Sequence, residues 1–268
     1  MIHPRRARRA LPAALAAAVV LVLAALPGSA AQIGPDAFGY VASDEVAYTF
    51  EDLSLSLTST RVLAGQNDTT TLVPIGFSFG FYGTAHTDLY LSTNGLLSFG
   101  ESYPWFVNRE LDSPDLIGDP RLIAPLWHDW NFEGELQPLA DAVYYDTLGS
   151  PGSQRLVVQW NRAYNDTPTI SDPVTFQAVL YENGDILFHY PDVTTLVTPS
   201  DNGGSATVGI RNAGGTASGE FLQWSYDQPV LTGGQTILFT VPEPATASLL
   251  LAALAVLAGS RRRATCRR

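Results

Sequence analysis

A single cysteine, a single methionine and no lysine occur in the 268 residues of this chain. Cys266, near the C-terminus, is the only thiol, which excludes an internal disulfide framework and any cluster of cysteine metal ligands. Without lysine, all fifteen basic residues are arginine, and they are unevenly placed. Residues 1–31 hold four Arg and no acid. Residues 242–268 hold five Arg and only Glu243. The 210 residues between hold six Arg against 25 Asp and Glu, a net of −19. A body so acidic repels phosphate, which excludes nucleic acid as a partner. Aromatics are missing from both ends; all five Trp, eleven Tyr and twelve Phe lie in the body. That density of apolar rings excludes disorder there, and the body is long enough to bury a sizeable core as one domain. Two apolar, basic ends therefore bracket an acidic body, the layout of a processed and anchored chain.

The first end begins with Arg5, Arg6, Arg8 and Arg9, continues as an apolar run from Leu11 to Leu26, and closes on small residues, Gly28-Ser29-Ala30-Ala31. This is the order of a signal peptide, with cleavage expected after Ala30 or Ala31. The other end reads Val241-Pro242-Glu243-Pro244, then fifteen uncharged residues, 245–259, then Arg261-Arg262-Arg263. Two prolines end the folded body. As a helix the uncharged run spans roughly 22 Å at about 1.5 Å per residue. That is short of a bilayer core of about 30 Å, a gap that flanking residues and snorkelling arginines cover. Arginine at both extremes keeps both ends cytoplasmic and puts the body outside. The ordered set of Pro242-Glu243-Pro244, short apolar helix and Arg261–Arg263 resembles the PEP-CTERM sorting signal. The resemblance implies recognition by an exosortase, a membrane protease that removes the tail during export, and a producer that makes extracellular polysaccharide. Five residues, 264–268, trail the arginine triplet and lie beyond the motif.

The body reads as β throughout. Asp88–Ser92 and Leu96–Phe99 flank Thr93-Asn94-Gly95, and Asn-Gly between alternating runs is the strongest short hairpin signal. Val174–Tyr181 and Ile186–Tyr190 flank Glu182-Asn183-Gly184-Asp185, and Ala142–Leu148 and Arg155–Ala163 flank Gly149-Ser150-Pro151-Gly152, giving two more hairpins. Leu122–Trp130, Ala206–Arg211, Phe221–Tyr226 and Thr236–Thr240 are further strands, while Glu101–Arg121 reads as a loop that forms a lid or rim. The expected fold class is all-β: one sandwich-like body, 32–241, between an N-terminal signal helix (1–31) and a C-terminal sorting segment (242–268) with its transmembrane helix. The phrases Phe77-Ser78-Phe79-Gly80-Phe81-Tyr82-Gly83, Leu89–Gly95, Ile123–Asp129, Val157–Trp160 and Thr175–Leu180 follow one another as in the nidogen-like extracellular domain. The resemblance covers about Leu72–Asn212 and implies an extracellular β-rich interaction module without catalysis.

Three sets of residues carry candidate chemistry. Asp129, Asn131, Glu133 and Glu135 supply oxygens at a spacing of two, as calcium loops do, although no EF-hand pattern is present. If Trp127 and Trp130 both pack inward, these oxygens gather at a strand end; otherwise they form an exposed acidic loop. Trp105, in the loop Tyr103-Pro104-Trp105-Phe106, is the best exposed platform for stacking a sugar ring, whereas Trp160 and Trp224 read as core. The third set is the sorting motif itself. A glycosidase needs two facing carboxylates, and with 25 acids some pair is always at hand, so the count decides nothing. No His-Glu-x-x-His is present and no nucleophile elbow is expected. His86, His128 and His189 show no ligand spacing, and His189, alternating with Phe188 and Tyr190, is expected on a solvated or pairing face.

The reading that follows is an exported, exosortase-processed, non-catalytic protein of the cell surface or extracellular matrix, structural or adhesive. Its partners would be signal peptidase and exosortase during export, and exopolysaccharide or matrix proteins afterwards. No cofactor is expected beyond an optional calcium ion. A carbohydrate-binding module is the alternative, and a carboxylate-dependent hydrolase is the third reading. A Trp105 platform favours the second and a buried, converging carboxylate pair the third.

Overall fold

All three expected hairpins are present in the computed structural model of the chain, which describes residues 31–133, 140–165, 172–196 and 199–241. Its strands are β1 (Gln32–Ile33), β2 (Val41–Ser43), β3 (Thr60–Val62), β4 (Thr70–Phe81), β5 (Thr84–Ser92), β6 (Leu97–Phe99), β7 (Arg121–Trp127) and β8 (Trp130–Asn131). They continue with β9 (Ala142–Leu148), β10 (Arg155–Asn165), β11 (Val174–Tyr181), β12 (Ile186–Asp192), β13 (Thr207–Arg211), β14 (Phe221–Tyr226) and β15 (Gln235–Thr240). The α-helix among the described residues is one short turn, Gly215–Ser218, beside two 3-10 turns, Leu53–Leu55 and Asp201–Gly203. No helix among the described residues is long and apolar enough to cross a membrane, and the expected helix 245–259 and signal segment 1–30 lie outside them.

The strands form two antiparallel sheets. One runs β1-β2-β15-β12-β11-β10-β9-β3, with β8 added on β10; the other runs β14-β13-β7-β6-β5-β4. Alternation explains how they pack. β4 turns Val73, Ile75, Phe79 and Phe81 inward and leaves Leu72, Pro74 and Ser78 outside. From the facing sheet β10 contributes Leu156, Val158 and Trp160, and β12 contributes Ile186, Phe188 and Tyr190, to the same core. Trp160 stacks on Phe176 at 4.9 Å and donates its indole N–H to the Ser92 carbonyl of the opposite sheet at 2.8 Å. Pro74 is tolerated because β4 is an edge strand with a free side. At Gly76, φ is +88° and a Cβ would sit 2.7 Å from Thr147, so only glycine allows the approach. There the Thr147 hydroxyl, on β9, donates to the Ile75 carbonyl at 2.8 Å and ties one sheet's edge to the other.

The expected single strand Leu122–Trp130 is broken. β7 belongs to one sheet, and the chain then crosses so that β8 pairs with Tyr164 and Asn165 of the other. The cause is Asn94, fully buried in the β5–β6 turn. Its Oδ1 accepts from Trp130 N at 3.1 Å, and its backbone carbonyl accepts from His128 N. The two tryptophans therefore part: Trp130 enters the main core, whereas Trp127 points to the outer face of its sheet. The condition that both pack inward is thus met by Trp130 alone, while Trp127 is buried on the other face.

Both outer faces are covered in part. Across the larger sheet, Tyr144, Gln159, Gln177, His189 and Thr236 stand in register as one cross-strand row, with the apolar row Val157, Val179, Leu187 and Leu238 near it. The segment 44–59 lies over them. It buries Leu53 against Val157, Val179 and Leu187. Gln159 accepts from Leu53 N at 2.7 Å and donates to Asp52 at 2.9 Å, while Gln177 donates to the Glu51 carbonyl at 2.8 Å. His189 is thus 1 % exposed, bonded to Thr236 at 2.9 Å and edge-on to Tyr48; of the two alternatives, solvated or pairing, the structure has it paired and covered. Residues 101–120 cover the outer face of the smaller sheet over β6, β7, β13 and β14, leaving β4 exposed.

Candidate functional site

Residues 101–120 contain no regular element, yet side chains from the sheet beneath hold their backbone at successive points. In β13, Val208 and Ile210 face the main core, so alternation sends Thr207 and Arg211 to the outer face. Thr207 donates to the Arg109 carbonyl at 2.8 Å. Arg211, only 2 % exposed, donates to the Leu111 carbonyl at 2.8 Å, the Pro120 carbonyl at 3.0 Å and the Asp119 carboxylate at 2.6 Å. Gln223 accepts from Leu111 N at 2.7 Å. Nearer the start of the loop, Ser98 donates to the Glu101 carbonyl, Asn94 to the Pro104 carbonyl at 3.0 Å, and the Trp127 indole to the Trp105 carbonyl at 2.8 Å. Leu96, Tyr103, Leu116, Leu122, Ala124 and Trp127 form a separate apolar core under the loop. The loop read from the sequence as a lid or rim is therefore a strap held on the sheet.

On its solvent side the strap displays Trp105 (41 % exposed), Phe106, Val107 and Ile117 (56 % exposed). These residues line a cavity of about 110 Å³ together with Tyr103, Arg109 and Asp115. Tyr103 forms its floor, supported edge-on by Trp127 at 6.0 Å, and burial pushes its hydroxyl up to about 12, so the O–H is retained. Neither the Trp105 indole N–H, the Arg109 guanidinium nor the Asp115 carboxylate is engaged by a hydrogen bond or ion pair with the described residues. The cavity thus offers apolar ring surface, donors and an acceptor, all open to solvent, on a backbone held from below.

The other predicted residues are more dispersed. Asn131 is buried in β8, where its Oδ1 accepts from Glu133 N at 3.3 Å. Asp129 sits at the sheet crossing, and Glu135 lies outside the described residues. Among the described residues, no three His, Cys, Asp or Glu side chains come together so as to hold a metal ion. Pro242, Glu243, Pro244 and Arg261–Arg263 also lie outside the described residues, which end at Val241. His128 is held by two partners. Its Nδ1 lies 3.0 Å from the Ser205 carbonyl, which can only accept, so that nitrogen carries the proton and Nε2 accepts from Asn165 at 2.9 Å. Burial lowers its pKa and keeps it neutral in that tautomer, with no nitrogen free to act as a base.

Against expectation, Gly76-Phe77-Ser78-Phe79-Gly80 does have the spacing of a nucleophile elbow. The structure sets Ser78 on the exposed side of an extended edge strand, with no helix after it. Carboxylates also line a larger cavity of about 250 Å³ at the end of the sandwich that holds Val241, beside Phe38, Tyr40 and Tyr82. Both are tied into turns: Glu182 accepts from Gly152 N and Gln154 N, and Asp185 from Thr240 and Asn183. The buried carboxylate Asp141 is ion-paired to Arg162 at 3.0 Å. No converging pair of buried carboxylates occurs among the described residues.

The exposure of Trp105 was legible in the sequence, whereas the anchoring roles of Arg211, Asn94 and Gln223 were not. Arg211 and Gln223 look like solvated strand residues until a loop with no periodicity is known to cover them.

Fold and site together define an all-β, two-sheet protein with a pinned aromatic loop. A family model described as NIDO related matches residues 39–249, most of the chain, which therefore belongs to the NIDO-related family. That span is longer than the stretch Leu72–Asn212 whose phrases carried the resemblance, and takes in the covering segment 44–59 and β15. A second model, the PEP-CTERM protein-sorting motif, matches residues 240–264. This motif marks the chain for export, membrane anchoring before processing, and processing by an exosortase. No solved structure matches the chain.

Proposed function

We propose that the protein is a non-catalytic adhesive component of the extracellular matrix or cell surface, and that the strap 101–120 is its contact surface. One observation carries this reading: a loop with no periodic structure is held by side chains of the sheet beneath, and it displays large apolar residues rather than hiding them. A surface fixed before contact loses little conformational entropy on binding. The placement supports the same role. β5 starts beside the turn Tyr82-Gly83, which lines one cavity with Val241, and ends beside Asn94, which holds Pro104. Nine residues at about 3.3 Å each put Trp105 roughly 30 Å from the end that leads to the tail. A chain tethered by its C-terminus would present the strap outward.

The locked tautomer of His128, and the absence of a converging buried carboxylate pair among the described residues, favour a non-catalytic role over a hydrolase. The test is made in the producing bacterium with the full chain. Trp105→Ala combined with Phe106→Ala should leave export and processing unchanged, but shift the mature protein from the matrix or surface fraction into the medium. Unchanged partition between the fractions refutes the reading.

A further inference from the structure

We propose that the cavity at Trp105 is a saccharide subsite that takes an uncharged pyranose unit of a polymer. The proposal rests on the reading of the strap as a contact surface. Pyranose rings present a face of C–H bonds, which pack favourably on the electron-rich face of an indole, and a rim of hydroxyls that both donate and accept. The cavity meets both requirements, with Trp105 and Phe106 for the face and the Arg109 guanidinium and Asp115 carboxylate for the rim. Their opposite charges suit vicinal hydroxyls, which are uncharged, donors and acceptors at once.

Charge and size select this occupant over others. A body at −19 repels uronate or sulfate polymers, and it equally repels a second copy of itself. A protein partner of ordinary affinity buries about 20–30 residues on each side, far more than the seven that line this cavity. At about 110 Å³ the site is well below the roughly 300–1,000 Å³ that encloses a small molecule, so it covers one face of a ring and leaves the other in solvent. Such a subsite is weak for a monosaccharide and useful on a polymer, where many identical units and many protein copies raise the effective affinity.

The experiment is native affinity electrophoresis of the mature chain as exported and processed by its producing host. The gels contain hydroxyethylcellulose, galactomannan, xylan or pullulan as neutral polymers, and alginate as the anionic one. Retardation is expected in at least one neutral polymer and not in alginate. Trp105→Ala should weaken it about tenfold or more, and Arg109→Gln or Asp115→Asn several-fold, with melting temperatures close to that of the parent because these side chains are solvent-facing. The proposal is overturned by no retardation in any neutral polymer, by retardation indifferent to Trp105→Ala, or by stronger retardation in alginate. Should Trp105→Ala release the protein from its matrix in vivo while no neutral polymer retards the parent, the saccharide assignment falls and the contact surface stands.

Discussion

Arg211 is the clearest place to test whether the strap is held as described. Arg211→Met keeps most of the side-chain length and removes every donor. Two buried carbonyls, those of Leu111 and Pro120, then lose a charge-assisted partner, and the Asp119 carboxylate loses its ion pair. A buried polar group left unsatisfied costs about 1–3 kcal/mol. Asp119 is 52 % exposed and can return to water, so its share is small. For the two carbonyls the expected loss is therefore about 2–6 kcal/mol. In a domain of this size about 1 kcal/mol shifts the melting temperature by roughly 2–4 °C, so a fall of roughly 4–24 °C is expected. Arg211→Lys should recover only part of it, because an ammonium lacks the planar fork that spans Leu111, Pro120 and Asp119. Hydrogen exchange separates the local effect from the global one: amides of 101–120 should exchange much faster in Arg211→Met, and those of β10 and β11 should change only as far as global stability does. A melting shift below about 2 °C with unchanged exchange in 101–120 would refute the argument.

Further predictions concern pH, ions and sorting. Burial lowers His189 to about 4 from an ordinary 6.5, so its neutral form stabilises the fold fully above about pH 6.5, and that contribution is lost as pH falls towards 4, by up to about 1.4 kcal/mol per pH unit. His128 and His86 are shifted in the same direction, so His189→Gln should flatten, not abolish, the decline in melting temperature between pH 7 and 5. Melting temperature should rise with NaCl, because salt screens a body of 25 acids against six arginines; indifference to salt removes that account. If Asp129 and Glu133 bind calcium, a rise in melting temperature with Ca²⁺ should vanish when both are replaced by Ala, and a rise that persists sinks the site. Replacing Pro242-Glu243-Pro244 with Ala should make a longer, membrane-bound form accumulate in the producing host, and a parent whose intact mass still includes 245–268 sinks exosortase processing.

The hairpins were legible because their chemistry is local: Asn94-Gly95, Asn183-Gly184 and Pro151-Gly152 sit between alternating runs that no other element can use. The strap residue Trp105 was legible because a tryptophan among loop residues has no strand to hide in. What stayed hidden depends on contacts distant in sequence. His189 alternates with Phe188 and Tyr190 and so reads as outward, which it is; that outward means covered depends on segment 44–59, more than 120 residues earlier. The break between β7 and β8 has no proline or glycine to announce it, since the agent is the side chain of Asn94, over thirty residues away. Arg211 is the same case, a charge that only a covering loop makes into a buried anchor.

The two covering segments also show why exposure alone does not mark a contact surface. Leu55 and Leu57 on segment 44–59 are more exposed than Trp105, at 80 % and 102 %. They line none of the cavities described above, and the segment's neighbouring polar groups are already spent: Asp52 on Ser54 and Gln159, Glu51 on Arg155. A ligand meeting Leu55 would find grease without a handle. At Trp105 the apolar face, the floor provided by Tyr103, and Arg109 and Asp115, whose charged groups bond to none of the described residues, occur together, and the backbone carrying them is bonded to the sheet at both ends of the loop. Coincidence of ring surface, free polar groups and a fixed backbone separates a site from an exposed hydrophobe. On that criterion, replacing Leu55 and Leu57 by Ser should leave matrix retention unchanged while replacing Trp105 and Phe106 by Ala removes it.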